Sequence, residues 1–393
     1  MTVHLTLHAL HTLPPSNVNR DETGAPKTAT YGGVLRARVS SQAWKRAMRL
    51  RFTTAGLVPA QDLSDRTRHG VAQLAKAITA LRPGLEGTAA ADLAKKVLVF
   101  ATGASVESPN ARRTATEGAT PTTRETLFLG RRQIDRIAEL AVQGADDITA
   151  HLKTKANATA IKEAASSRDA VDIALFGRMI ATGDNLTVDA AVQVAQALAV
   201  HRTPVESDFF TAVDDLASGD DHGAGMIGQR EFLSSTLYRH AALTGPDLAA
   251  NLADYAGTMD LAQVTAAFVR VFAEAVPAGH ITSYAHTTRP DVLIATVTGT
   301  PLSHIGAFET PVETVSGGGH LAPAAERLAE HMKATDTAYG DPTARSWLLT
   351  LNPNATEPLH ATATRVTNLT ELAEAAAGEL ARRTQEKTLK EPV

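Results

Sequence analysis

Between Val34 and Phe52 the hydrophobic period of the chain changes once, and the change falls on a Ser-Ser pair. In "VLRARV" the apolar residues Leu35, Ala37 and Val39 alternate with Arg36 and Arg38, which is the period of a half-buried strand. In "QAWKRAMRLRF" Ala43, Trp44, Ala47 and Met48 recur at helical spacing, while Gln42, Lys45, Arg46 and Arg49 share the other side. Ser40 and Ser41 between them are helix N-cap types. The pattern predicts a strand turning directly into an amphipathic helix. The strand buries Leu35, Ala37 and Val39 and aims two guanidiniums at one surface.

Charge is concentrated in the same place. From Arg20 to Arg51 there are eight Lys/Arg against two acids, leaving 30 basic against 40 acidic residues elsewhere, in a chain of formal net charge -4. Such a balance excludes a protein that coats nucleic acid on every face and permits one that binds it through a single basic groove. A charged helix face alone is usually just solvated. Here the cations continue from strand to helix with few acids interleaved, and Ser hydroxyls and N–H groups at a helix start accept phosphate well. A phosphate track is the better reading.

The remaining composition sets outer bounds. With 393 residues and 44% hydrophobic content the chain can bury a substantial core. It has no cysteine, which suits a reducing cytoplasm and removes thiolate chemistry. The opening "MTVHLTLHALHTLPP" lacks a basic leader, and no segment nears the ~20 apolar residues of a membrane span, so a cytosolic protein with no membrane partner is expected.

Elsewhere, "VHLTLHAL" alternates Val3, Leu5, Leu7 and Ala9 with His4, Thr6 and His8 and predicts a half-buried first strand. From about Val71 to Ser167, Ala-rich helical segments surround a polar loop and read as a helical insertion. "LTVDAAVQVAQALAVHR" predicts an amphipathic helix carrying Val192, Val194, Ala195 and Leu198. "SDFFTAVDDLASGDDHGAGMIGQREFLSSTLYRHAAL" predicts a long hairpin with an acidic, Gly-rich tip. A helix near "LAQVTAAFVRVFAEAV", a buried strand at "DVLIATVTGT" and a C-terminal helix at "LTELAEAAAGELARR" complete the pattern.

Candidate chemistry beyond the basic stretch is weak. "GAGMIG" (Gly223 to Gly228) follows an acidic tip and precedes strand-like sequence, so it lacks the strand and helix a dinucleotide fingerprint needs. His4 and His8 would sit about 14 Å apart on a strand, too far to share one zinc, and no compact metal-ligand pair occurs among the 14 histidines. The paired carboxylates Asp214 with Asp215 and Asp220 with Asp221 read as solvated. No metal or cofactor is expected. Acid–base ribonuclease chemistry needs only a His, Tyr or Lys poised at a phosphate and stays open. Phe209 and Phe210 suit either core packing or a wedge against nucleobases.

"NRDETGAPKTATYGGVLRARVSSQAWKRAMR", "VDIALFGRM", "DFFTAVDDL", "GQREF" and "YRH" together resemble the CasC family, the CRISPR-RNA-binding backbone subunit of the type I-E Cascade complex within the RAMP superfamily. The resemblance runs from the N-terminus to about residue 310, interrupted by the Ala-rich insertion. It implies an α+β fold: an RRM-like (ferredoxin-like) palm (1–65, 168–204 and, with C-terminal helices, 233–393), an inserted helical fingers domain (66–167) and a β-hairpin thumb (205–232). It also implies a non-catalytic scaffold that polymerises along CRISPR RNA in the bacterial cytoplasm and displays the bases for pairing with target DNA. Its partners would be copies of itself, other Cascade subunits and, indirectly, a recruited nuclease-helicase. By motif, Asn19, Arg20, Lys27, Ser40, Gln42, Lys45, Arg46 and Arg49 would hold the guide backbone. Gly177, Arg178 and Met179 would flank the guide, and Phe209, Phe210 and Thr211 would form the thumb wedge. Val34 and Leu35 stand where relatives can carry further cations, and Arg112 and Arg113 suggest DNA contact by charge alone. The alternative is a CRISPR-repeat-processing endoribonuclease on the same palm.

Overall fold

The computed structural model describes residues 2–85, 87–107, 120–179, 186–212, 226–314 and 318–390. Arg112, Arg113, the four tip carboxylates and Gly223 lie outside them. The chain is mixed α and β around a mostly antiparallel sheet, and it divides into two compact units. Met1–Ala55, Gln193–Gly245 and Ala262–Val393 form the first; Gly56–Val192 and Pro246–Leu261 form the second. Among the described residues no helix is long and apolar enough to cross a membrane.

In the first unit the strand His4–Ser16 is central. It pairs antiparallel with Met226–Thr244 on one side, Thr12 opposite Thr236, and with Val292–Thr298 on the other, His4 opposite Thr298. Beyond Val292–Thr298 follow Arg345–Thr350 and Thr364–Arg365; beyond Met226–Thr244 follow Ala197–Ala199, Val34–Val39 and Thr28–Tyr31. The central position explains why the first strand is buried on both faces, where alternation alone predicted one. Helix Leu321–Tyr339 covers the histidine side, packing Ala324, Leu328 and Met332 over Leu10, Tyr238 and Ile294. Each large apolar side chain so covered contributes ~1.5–3 kcal/mol. His8 is therefore internal. Its Nδ1 lies 2.8 Å from the Tyr238 hydroxyl, which also accepts from the His304 N–H, and its ring stacks on His240. Burial, then the neighbouring His240 and His304, push His8 well below the ordinary imidazole range.

Two expectations fail in this unit. The predicted amphipathic helix over Val192–Leu198 is instead two short strands, Val192–Val194 and Ala197–Ala199. The second fits between Val34–Val39 and the long strand, pairing Leu198 with both Arg38 and Tyr238. A sheet slot with partners on both sides outweighs the helix propensity of alanine. The other failure lies within Val34–Val39, where Ala37 and Val39 are buried as expected but Leu35 and Arg36 exchange places. Leu35 is 41% exposed and Arg36 is 0% exposed. The Arg36 guanidinium donates to the carbonyls of Tyr31, Ala199, Phe308 and Glu309, so an internal fork of acceptors satisfies a charge that alternation placed outside. Gly32 permits this, since a Cβ there would lie 1.6 Å from the Glu309 carbonyl oxygen.

The second unit is largely helical. Gly70–Leu81, Gly87–Thr102, Arg131–Gln143, Ile148–Lys153 and Lys155–Ser166 bury a shared core that includes Leu74, Ile78, Leu98, Ile137 and Ile161. Two small antiparallel pairs, Ser64–Thr67 with Leu127–Gly130 and Val106–Glu107 with Thr122–Thr123, accompany it.

Candidate nucleic-acid interface

The basic helix forms where its sequence predicts, at Ser41–Thr54. Ser40 caps it by accepting from the Ala43 N–H at 3.3 Å, and the Ser40 N–H donates to Asn19 Oδ1 at 2.8 Å. A lost cap of this kind costs about 1 kcal/mol. Asn19 thus ties the loop after the first strand to the helix start. The same loop is held from within: Asp21 accepts from the Thr23 hydroxyl and the N–H groups of Thr23 and Ala25, and Asn17 Nδ2 donates to the carbonyls of Gly24 and Glu231. The Lys27 N–H donates to Asn19 O, and the Arg38 N–H to Lys27 O. Arg20 and Lys27 are thereby fixed beside the helix.

The back of the helix is anchored by a cation that sequence reasoning missed. Trp44, Met48 and Phe52 are buried. The guanidinium of Arg239 lies 3.7 Å from the Trp44 ring centre and 4.5 Å from that of Phe272, and it donates to Phe272 O and His11 Nδ1. Burial lowers Arg239 to about 9, still charged at neutral pH. An arginine inside a period-two run, "YRHAAL", was the available signal.

Outward, Gln42 and Arg46 are exposed and Lys45 and Arg49 half-buried. Partial burial lowers Lys45 from its ordinary value, as expected where the stem packs and the ammonium reaches water. Arg51 is neutralised by Glu274, 2.5 Å away. None of Arg20, Lys27, Arg38, Lys45 and Arg46 forms an ion pair with a described residue. Asn19 Oδ1 and Ser40 Oγ are both used to build the helix start.

The hairpin pairs Glu206–Ala212 with the first part of Met226–Thr244, Phe209 opposite Gln229 and Thr211 opposite Ile227. Its two phenylalanines differ. Phe209 is 70% exposed, whereas Phe210 lies on the other face beneath Arg230, 4.7 Å from its ring centre. Gly228 sits under Phe210, where a Cβ would lie 2.2 Å from the ring. Thr211 is exposed, and so are Met226 and Ile227. Because Met226–Gly228 continue a strand, no helix follows the glycines of "GAGMIG".

Gly177, Arg178 and Met179 belong to the second unit. Gly177 takes φ 74°, and a Cβ on it would lie 2.7 Å from the Val188 carbonyl. Arg178, a residue expected to flank the guide, turns its side chain inward. It is 2% exposed, and its guanidinium donates to Leu186 O, Gln133 Oε1 and Ser166 O. Burial lowers it to about 10, and the group ties Leu186 to the helices Arg131–Gln143 and Lys155–Ser166. Met179 beside it is 90% exposed.

The described residues thus combine a mostly antiparallel sheet, a helix that exposes cations and a hairpin that exposes a phenylalanine, and solved structures share the overall α+β fold. A chain of a "CRISPR RNA-guided surveillance complex, pre-nicking" is similar with a TM-score of 0.81 and 31% identity, covering 96% of this chain and 100% of that one. A chain of a second "CRISPR RNA-guided surveillance complex" is similar with a TM-score of 0.73 and 27% identity, covering 96% and 99%. No curated protein matches. The model of the CT1975-like protein family matches residues 5–375, and the chain belongs to that family.

Proposed function

We propose that the chain is a backbone subunit of a Cascade-type CRISPR RNA-guided surveillance complex and that it is a structural, non-catalytic component. The observation that carries this is that Lys45 and Arg46 of the basic helix form no ion pair with a described residue and that the hairpin exposes Phe209, in a chain similar over almost its full length to chains of such complexes. In this reading Arg20, Lys27, Lys45, Arg46 and Arg49, with Gln42, hold the guide by its phosphates, which imposes no sequence preference. The sheet is the palm, the second unit supplies the fingers, and the hairpin is the thumb. Phe209 and Thr211 displace a nucleotide, Phe210 stiffens the arm from behind, and Met179 supports bases. Copies repeat along the RNA and leave intervening bases free to pair with target DNA. The type I-E assignment rests on the sequence motifs.

Electron micrographs of the purified chain with and without single-stranded guide RNA test this directly. A helical array that forms with RNA and dissolves on ribonuclease treatment is expected. Assemblies that persist without RNA would overturn it, as would site-specific cleavage of a labelled repeat RNA that survives chelation.

A further inference from the structure

Three cationic or basic side chains from separate stretches of the first unit meet at the root of the hairpin, and among the described residues no carboxylate forms an ion pair with them. Arg20 Nη1 lies 3.3 Å from His280 Nε2, so a guanidinium donates to a neutral imidazole. Arg230 Nη1 donates to Ser283 Oγ at 3.3 Å while its guanidinium covers Phe210. Tyr284 packs edge-on to His280 and tilted to Phe232. The arrangement is held stiffly. His280 has φ 51°, a conformation that a residue with a side chain keeps only when its surroundings impose it. Gly279 before it is pressed against the loop carrying Arg20, since a Cβ there would lie 2.5 Å from Val18 O and 2.7 Å from Asn17 O.

The groups facing His280 are Arg20 from the loop after the first strand, Arg230 from the hairpin and Tyr284 from its own turn. Desolvation, then Arg20 and Arg230, lower His280 from its ordinary value. Four carboxylates lie on the same stretches, Asp21 and Glu22 after Arg20 and Asp208 and Glu231 on the hairpin, and neither Glu22 nor Glu231 forms an ion pair with Arg20, Arg230 or His280 among the described residues. Asp21 accepts from its own loop, and Asp208, opposite Arg230 in the hairpin register, forms no ion pair with it. Donors that converge without counter-charge form an incomplete anion site.

We propose that Arg20, Arg230, His280 and Ser283 clamp one phosphodiester of single-stranded RNA where the hairpin leaves the sheet. This rests on the RNA-binding reading above and adds a site to it. A phosphate entering between the two guanidiniums offsets their charge at His280 and draws the Arg20 N–H off Nε2 onto a phosphate oxygen, so the imidazole takes up a proton from solvent and donates to the phosphate. RNA affinity then rises as pH falls from 8 toward 6, by at most about tenfold per unit for one proton.

Fluorescence anisotropy with a labelled single-stranded RNA, titrated against salt at pH 8 and pH 6, tests this on the full chain. Arg230→Gln is expected to flatten the slope of log K against log salt by ~0.7, and Arg230→Lys to restore it. His280→Gln is expected to abolish the gain in affinity between pH 8 and pH 6 with an unchanged melting midpoint. Wild-type binding that depends on salt and on Lys45 but is indifferent to both substitutions would overturn the clamp and leave the RNA reading standing. Wild-type chain with no salt-dependent RNA binding would overturn the RNA reading itself. Effects confined to single-stranded DNA would refute the assignment to RNA, and His280-dependent cutting of the RNA would replace the clamp with hydrolysis.

Discussion

The basic helix and the hairpin arm lie in the same unit, yet they are held by opposite means. Behind the helix, Trp44, Met48 and Phe52 are buried and Arg239 fills the space between Trp44 and Phe272. The arm Glu206–Ala212 is exposed almost throughout, and it is shaped by strand pairing, by Gly228 under Phe210 and by Arg230 over it. The difference separates two tasks. In the proposed function, charges that would meet successive phosphates are mounted on a packed base, while an aromatic group that would act by insertion stands on a thin ladder.

Breaking the base should have the largest effect. Trp44→Ala removes the surface that supports Arg239 and is expected to cost ~3–5 kcal/mol, read as a drop in urea midpoint. Acid should act next, again through the packed interior. His201, His240 and His304 are held down at about 4, first by burial, against about 6.5 unfolded. Their neutral forms favour the folded state fully above pH 6.5, and that stability is lost as pH falls from 6.5 toward 4, because the unfolded chain takes up more protons. Melting midpoints should therefore decline across that window, and a flat profile would contradict the buried-histidine account. Gly228→Ala should move the Phe210 ring and weaken its contact with Arg230, at a cost of about 0.5–1 kcal/mol. Phe209→Ala should change stability by less than about 0.5 kcal/mol while weakening RNA binding by ~1–3 kcal/mol, the value of one stacked base. A large loss of stability at Phe209 would erase the distinction between base and arm.

The parts of this design that depend on neighbours in sequence were legible. The Ser40 cap, the helix that follows it and the alternation of the hairpin strands are decided within a few residues. Arg36 was misread because its acceptors, at Ala199, Phe308 and Glu309, come from remote stretches that alternation cannot see. The helix expected in "LTVDAAVQVAQALAVHR" fails for the same reason, as the sheet partners of Ala197–Ala199 are Arg38, Val39, Leu237 and Tyr238. Arg178 carries a surface-type charge whose burial is set by Leu186, Gln133 and Ser166. The grouping of Arg20, Arg230 and His280 depends on a left-handed turn at a histidine, which no periodicity announces.

In the proposed function the cations of the basic helix contact RNA phosphates, and the salt dependence of RNA affinity reads those contacts in wild type and in the chain carrying Lys45→Ala with Arg49→Ala. Two lost phosphate contacts should reduce the slope of log K against log salt by about 1.4, at unchanged melting midpoint. An unchanged slope would contradict the account.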